Sequence, residues 1–258
     1  MDRIFNGISL RDAGAALLDL AMPRRCVVCR QRLDLREKYI CLDCLYDLPM
    51  THFWERIHNP MADKYNERIQ ESLSQDDDSA FEPYAFAAAL FYYNSESLFK
   101  RIPRHLKYEG GVESGRFFSR MLGEKLASSG HFSDVDVIIP VPLHPSRRWR
   151  RGYNQAEVIA LSIAGAYSGN AVVSTDILRR SRRTRTQTQV GVEEKTANVS
   201  GAFSTESWPA HRAIPRHVLV VDDTFTTGAT LNACRVALRE CFGPGIRISV
   251  ATLAFVNA

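Results

Sequence analysis

One stretch constrains this chain more than any other: His217-Val218-Leu219-Val220-Val221-Asp222-Asp223-Thr224-Phe225-Thr226-Thr227-Gly228-Ala229-Thr230. Val218 to Val221, with His217 ahead of them, is a continuous apolar run without alternation. That pattern predicts a strand buried on both faces, as in a parallel sheet covered by helices. Two adjacent carboxylates end the predicted strand. A loop rich in threonine follows, with Gly228 in it, and a helical pattern then runs from Leu231 to Cys241. Strand, acidic pair, hydroxyl-rich loop and helix form the layout of a site that holds a phosphorylated sugar.

The rest of the chain supplies more of the same architecture. Tyr84–Tyr93 reads as a strand, Ser95–Lys107 as a helix, and Phe117–Leu126 as a second helix. Val135–Ile139 reads as another buried strand, stopped by Pro140-Val141-Pro142-Leu143-His144-Pro145. Tyr153–Tyr167 predicts a helix, Ala171–Leu178 a strand, Glu193–Asn198 a short helix and Ile246–Phe255 a last strand. Strands alternating with helices predict an α/β fold with a twisted parallel sheet, whose ligands bind at the carboxyl ends of the strands. We divide the 258 residues into an N-terminal amphipathic helix (1–22), a cysteine-rich ribbon (23–50), a connecting segment (51–82) and the α/β domain (83–258). Within the connecting segment, 72–79 reads as a flexible link.

Cys26-Val27-Val28-Cys29 and Cys41-Leu42-Asp43-Cys44 are two C-x-x-C knuckles separated by eleven residues. Each offers two thiolates, and together they suit one tetrahedral structural Zn²⁺. Four unrelated cysteines would not fall in matched pairs within nineteen residues. Cys234 and Cys241, seven apart on a predicted helix, read as small buried apolar residues. No apolar run reaches the roughly 20 residues needed to span a bilayer, and Arg11 and Asp12 break the N-terminal one. The expectation is a cytoplasmic protein whose cysteines are thiols or metal ligands.

The net charge is a modest +4, but the arginines are clustered. Arg147, Arg148, Arg150 and Arg151 form one group; Arg179, Arg180, Arg182, Arg183 and Arg185 form another. A single run of arginines is usually a solvated face. Two runs flanking one α/β unit point to phosphate groups. In the central stretch, Thr224, Thr226, Thr227 and Thr230 supply hydroxyls. Gly228 lets backbone N–H groups approach an anion, and the helix beginning near Ala229 aims its N-terminus at the same place. Asp222 and Asp223 can accept hydrogen bonds from vicinal sugar hydroxyls. The chain has no Gly-Lys pair, so the acidic strand end is not the partner of a nucleoside triphosphate loop, and no G-x-G-x-x-G follows a strand.

These residues carry a resemblance. Val220 to Thr230 resembles the 5-phosphoribosyl 1-pyrophosphate (PRPP) signature of type I phosphoribosyltransferases. The whole chain is similar to the ComF family, on the paired cysteines, Leu106-Lys107-Tyr108, Pro140–His144 continuing through Arg151-Gly152-Tyr153-Asn154-Gln155, and Arg183–Thr188 with Asn198 and Phe203. The resemblance implies a type I phosphoribosyltransferase-like sheet preceded by a small zinc ribbon. It implies that Asp222 and Asp223 are the catalytic pair and hold the ribose hydroxyls. Thr224, Phe225, Thr226, Thr227, Gly228, Ala229 and Thr230 would hold the 5-phosphate. Pro142, Leu143, His144, Arg147, Arg148 and Arg151 would lie near the pyrophosphate, with Lys107 a further phosphate contact. Arg183, Arg185, Thr186 and Gln187 would belong to a closing loop, Cys26, Cys29, Cys41 and Cys44 would hold Zn²⁺, and Mg²⁺ would accompany PRPP. The chain departs from the family pattern in lacking a second set of cysteines and in carrying Gln189 where a basic residue is expected.

Two functions follow from this. One is transfer of a phosphoribosyl group to an unidentified acceptor, a nitrogen being the expected nucleophile, with release of pyrophosphate. Neither Glu109 nor His144 stands out as its general base. The other is a non-catalytic competence factor that binds single-stranded DNA and competence proteins, with the PRPP site regulatory. For it, Trp149 and Tyr153 are the aromatic residues beside the arginines.

Overall fold

The computed structural model describes residues 23–73, 82–180 and 201–256. The N-terminal helix expected over 1–22, most of the 72–79 link, the loop residues Arg182, Arg183, Arg185, Thr186 and Gln187, and the short helix over 193–198 lie outside the described residues.

A five-stranded parallel sheet forms the frame. Its strands are β1 (Ala87–Tyr93), β2 (Val137–Pro140), β3 (Val172–Val173), β6 (His217–Phe225) and β7 (Arg247–Val256), in the order β1-β7-β6-β2-β3. Val218 to Val221, Val250, Ala251, Leu253 and Ala254 are fully or almost fully buried, as expected of strands covered on both faces. The helices are α1 (Leu42–Tyr46), α2 (Pro60–Leu73), α3 (Arg101–Tyr108), α4 (Val112–Ala127), α5 (Pro145–Arg151), α6 (Gln155–Ala164) and α7 (Ala229–Phe242). From β2 the chain winds through α6 outward to β3. From β6 it winds through α7 in the opposite direction to β7. The winding therefore reverses between β2 and β6, which is where an open parallel sheet leaves a crevice at its carboxyl edge.

The structure changes several sequence-based element boundaries. The strand predicted over 218–221 continues to Phe225, because Asp222 pairs with Thr252 and Thr224 with Ala254 on β7. The acidic pair therefore lies inside β6 rather than beyond its end. The strand predicted over 171–178 is two strands in different sheets. A turn at Ser174–Asp176, closed by a 2.8 Å bond from Ser174 Oγ to Asp176 Oδ1, separates β3 from β4 (Leu178–Arg180), which pairs antiparallel with β5 (Phe203–Thr205). The first arginine cluster is helical, started by Pro145 in the first turn and by His144, whose ring accepts from Ser146 N.

Residues 51–73 pack tightly on the α/β domain. Met61, Ala62, Tyr65 and Ile69, one stripe of α2, are completely buried. Asn59 caps that helix, accepting from Met61 N and Ala62 N, and donates to Ala87 O of β1. Beyond α2, Arg235 of α7 reaches Glu82 at 3.1 Å, Ser72 Oγ at 3.2 Å and Asn232 Oδ1 at 3.0 Å, and Arg239 reaches the same Glu82 oxygen. Arg235 is 2 % exposed and Glu82 8 %. Removing one partner of such a pair leaves an uncompensated buried charge. Glu82→Gln should therefore lower stability by about 3 kcal/mol in urea unfolding, whereas surface substitutions typically change it by less than about 0.5 kcal/mol.

Candidate functional site

The carboxyl edge between β2 and β6 gathers most of the predicted residues. Pro140 is in register with Val221, and Val141 N donates to Val221 O at 2.9 Å, so Pro142, Leu143 and His144 emerge beside the acidic pair. Alternation along β6 sends Asp222 and Thr224 to one face of the sheet and Asp223 and Phe225 to the other. Asp223 is met by Lys107, the penultimate residue of α3, with Nζ 2.6 Å from Oδ2. Thr224 Oγ1 donates to the same carboxylate at 3.0 Å, and Asp223 N donates to Asp222 Oδ1 at 2.8 Å.

The two acids differ in charge because their surroundings differ. Burial is the largest influence on each and raises both. At Asp223 the Lys107 ammonium outweighs burial, and the carboxyl is held below its ordinary range. At Asp222, which keeps an edge at the surface, the neighbouring Asp223 charge adds to burial and the carboxyl is pushed up to about 8. Lys107 in turn is held above its ordinary value by the two carboxylates despite its burial. The Asp222 side also faces Cys234 of α7, whose thiol burial and the Asp222 charge push well up. Cys234 is buried as expected, while Cys241 is only partly so.

The loop after β6 is built for a close approach. Gly228 has φ 74°, in the left-handed region, and a Cβ there would lie 2.9 Å from the Phe225 ring. Two constraints thus require glycine at this position. Phe225 is itself backed edge-on by the buried Tyr65 of α2. Ala229 and Thr230 open α7, whose first-turn N–H groups have no acceptor within the helix. The Thr227 hydroxyl lies 3.4 Å from Ala229 N. Thr226, Thr227 and Thr230 are partly exposed.

The arginines divide. Arg147 is lowered from its ordinary value by burial and by repulsion from Arg180 and Arg151, so Arg180 of the second cluster lies within electrostatic reach of the first. Arg151 lies over the Tyr108 ring at 5.3 Å and donates to Gln155, and Arg180 lies over Phe203 at 5.1 Å. Arg148 instead pairs with Glu157 at 3.4 Å and is largely exposed. Repulsion among Arg147, Arg151 and Arg180 makes this an anion-attracting surface. Arg180 and Tyr108, and Tyr65 behind the loop, were not placed in the site by the sequence, although the first two lie in motifs it singled out. His144 and Glu109 have local partners: His144 Nδ1 lies 2.8 Å from Ser146 Oγ, and Glu109 meets Arg30 at 2.9 Å and His105 at 3.1 Å.

The four ribbon cysteines converge, with all their Sγ atoms within 4.8 Å of one another and Cys29 3.7 Å from Cys41. A tetrahedron with metal–sulfur bonds of about 2.3 Å has edges of about 3.8 Å, so the cluster can hold Zn²⁺. Burial raises the Cys41 and Cys44 thiols, a penalty that a bound dication removes by stabilising thiolates. Among the described residues, no helix is long and apolar enough to cross a membrane.

No family model matches the chain. It is 26% identical over 220 residues to Competence protein F of Haemophilus influenzae, covering 84% of this chain and 91% of that protein. It is 36% identical over 129 residues to DNA utilization protein YhgH of Salmonella typhimurium, covering 49% of this chain and 54% of that one. It is 27% identical over 154 residues to Competence protein ComFC of Streptococcus pneumoniae, covering 59% and 61%. The match thus spans about half to three fifths of the latter two relatives.

The elevated Asp222 carboxyl has a consequence for stability. The folded state keeps a proton that the unfolded chain loses in the ordinary carboxylate range, so this contribution is full below that range and is lost as pH rises to about 8. Thermal melts between pH 5 and 9 should show that fall in wild type, a flatter profile in Asp222→Asn, and the variant melting higher than wild type at pH 9.

Proposed function

The chain belongs to the ComF family, and from that membership we propose that it binds PRPP at the carboxyl edge of β2 and β6 and transfers the phosphoribosyl group to a nucleophile, releasing pyrophosphate. The observation that carries this reading is the acidic pair inside β6 followed directly by the Gly228 turn and the α7 N-terminus, all at the point where the sheet's winding reverses. Asp222 and Asp223 accept from the ribose hydroxyls. Residues Thr224 to Thr230, with the first-turn amides of α7, take the 5-phosphate. The loop Pro142–His144 and the guanidinium groups of Arg147 and Arg151 face the pyrophosphate, and Arg180 joins them, whereas Arg148 is held by Glu157. Lys107 keeps Asp223 ionised and stands where an ammonium can also meet a phosphate oxygen.

In the reaction the bond from C1 to the pyrophosphate oxygen breaks and a bond from C1 to the acceptor nitrogen forms, the nitrogen's proton passing to solvent. Positive charge builds on the ribose ring, and the ionised Asp223 of β6 favours it, while the arginines favour the charge on the leaving group. Mg²⁺ bound with PRPP would supply charge neutralisation to its phosphates; of the acidic pair, Asp223 already has Lys107 and Thr224 as partners. Calorimetry with Mg²⁺ and PRPP should show micromolar to submillimolar binding in wild type and none in Asp222→Asn/Asp223→Asn. Unchanged affinity in that variant contradicts the assignment. Pyrophosphate release, followed across a panel of nucleobases and amines, identifies the acceptor.

One observation favours a second role, in competence or DNA utilization, the processes for which the relatives are named. Trp149 on α5 is 88% exposed and stands among Arg147, Arg148, Arg150 and Arg151. An exposed ring among guanidinium groups is a stacking platform for single-stranded DNA. Trp149→Ala should weaken oligothymidylate binding by about 1–3 kcal/mol in fluorescence titrations while leaving PRPP affinity unchanged, and binding should fall steeply with salt. Equal DNA affinity in wild type and Trp149→Ala removes this role from α5.

A further inference from the structure

One short helix touches both the ribbon and the acidic pair. Helix α3 ends in Lys107-Tyr108, and Lys107 is the cation that holds Asp223 ionised. Both ends of α3 are tied to the first cysteine knuckle. At its start, Arg101 Nη1 donates to Val28 O, the carbonyl of the second of the two residues between Cys26 and Cys29. Just past its end, Glu109 accepts from Arg30 Nη2 at 2.9 Å, and His105 one turn earlier shares the same carboxylate at 3.1 Å. Arg30 is aimed by the knuckle itself. It sits at φ 70°, a left-handed backbone rare outside glycine, and its N–H donates to Cys26 O at 2.9 Å, closing the turn around the thiolates. The second knuckle's approach adds Tyr39, whose ring lies 5.7 Å from Phe117 of α4. Helix α4 packs so closely on α3 that a Cβ on Gly115 would come within 2.5 Å of Leu106.

We propose that the four-cysteine ribbon is a positioning element for the acidic pair: metal at Cys26, Cys29, Cys41 and Cys44 fixes the knuckle, and the knuckle, through Arg101 and Arg30, fixes the helix that delivers Lys107 to Asp223. Arg101, Arg30 and Glu109 are positioning residues in this account. None of them touches the acidic pair. The geometry of a C-x-x-C turn is set by its metal, and a short metallo-module loses that geometry when the metal is withdrawn. Val28 O and the Arg30 side chain then lose their fixed places, and an eight-residue helix is too short to hold itself without such ties. The cost is a misplaced ammonium at the far end. The coupling is also reciprocal: a ligand bound at the acidic pair holds the ribbon's metal more tightly by the same factor.

The test uses the full chain in three forms: zinc-loaded, stripped with a chelator, and zinc-loaded Arg30→Ala/Arg101→Ala, with zinc content measured for each. Hydrogen exchange of residues 101–109 should accelerate on the order of tenfold in the stripped protein and in the double variant, while β6 and β7 keep their protection. The double variant retains its cysteines and its zinc, so it separates the ties from the metal. If residues 101–109 exchange at the wild-type rate in either altered form, the relay does not exist. The consequence for the ligand rests on the PRPP reading given above. PRPP affinity should fall by roughly fivefold or more in both altered forms, and PRPP should raise the zinc affinity, read at equilibrium by competition with the chelator, by the factor that zinc removal takes from PRPP binding. If wild type binds no PRPP, that reading fails alone and the exchange measurement still decides the relay. If PRPP binds equally to all three forms, the relay is overturned even where exchange changes.

Discussion

Two carboxylates side by side in a buried strand are a costly arrangement, and the site depends on how the fold meets that cost. Asp222 and Asp223 cannot both carry full charge within β6 without a cation, and Lys107 supplies it at 2.6 Å. The result is a graded pair: Asp223 ionised and committed to Lys107 and Thr224, Asp222 holding its proton well into the neutral range. An adjacent donor and acceptor of this kind suit a pair of vicinal hydroxyls, each of which both gives and receives a hydrogen bond.

The surrounding elements converge on that pair. Phe225 and Gly228 shape the turn into α7, and Tyr65 of α2 supports Phe225 from behind. The loop after β2 emerges next to β6 because Pro140 and Val221 share a register position. Arg147 and Arg151 from α5 and Arg180 from β4 lie within electrostatic reach of one another, and Arg180 also feels the Asp222 charge. The hydroxyl of Tyr153, part of the segment linking α5 to α6, donates to Leu106 O, one residue before Lys107.

Much of this was legible in the sequence, and the exceptions are instructive. Continuous apolar runs announced β2, β6 and β7, since strands covered on both faces have no polar side to alternate. The four cysteines announced their own cluster through spacing alone. The extension of β6 through Asp222–Phe225 was not legible, because backbone pairing with β7 continues whatever the side chains are. Helix α2 was overlooked although Met61, Ala62, Tyr65 and Ile69 stand at helical spacing; the polar residues between them hid the stripe. Contacts between distant segments left no local trace. Neither Lys107 on Asp223 nor Arg101 on Val28 O can be read from residues so far apart in the chain, and the approach of Arg147 to Arg180 depends on the turn that splits β3 from β4.

A crystal structure grown with Mg²⁺ and PRPP tests whether β6 and the start of α7 form one sugar-phosphate site. The ribose hydroxyls are expected within hydrogen-bond distance of Asp222 and Asp223, the 5-phosphate against the backbone of 226–230, and the pyrophosphate toward Arg147 and Arg151. A ligand bound elsewhere, or bound here with its phosphate away from the α7 N-terminus, would contradict this.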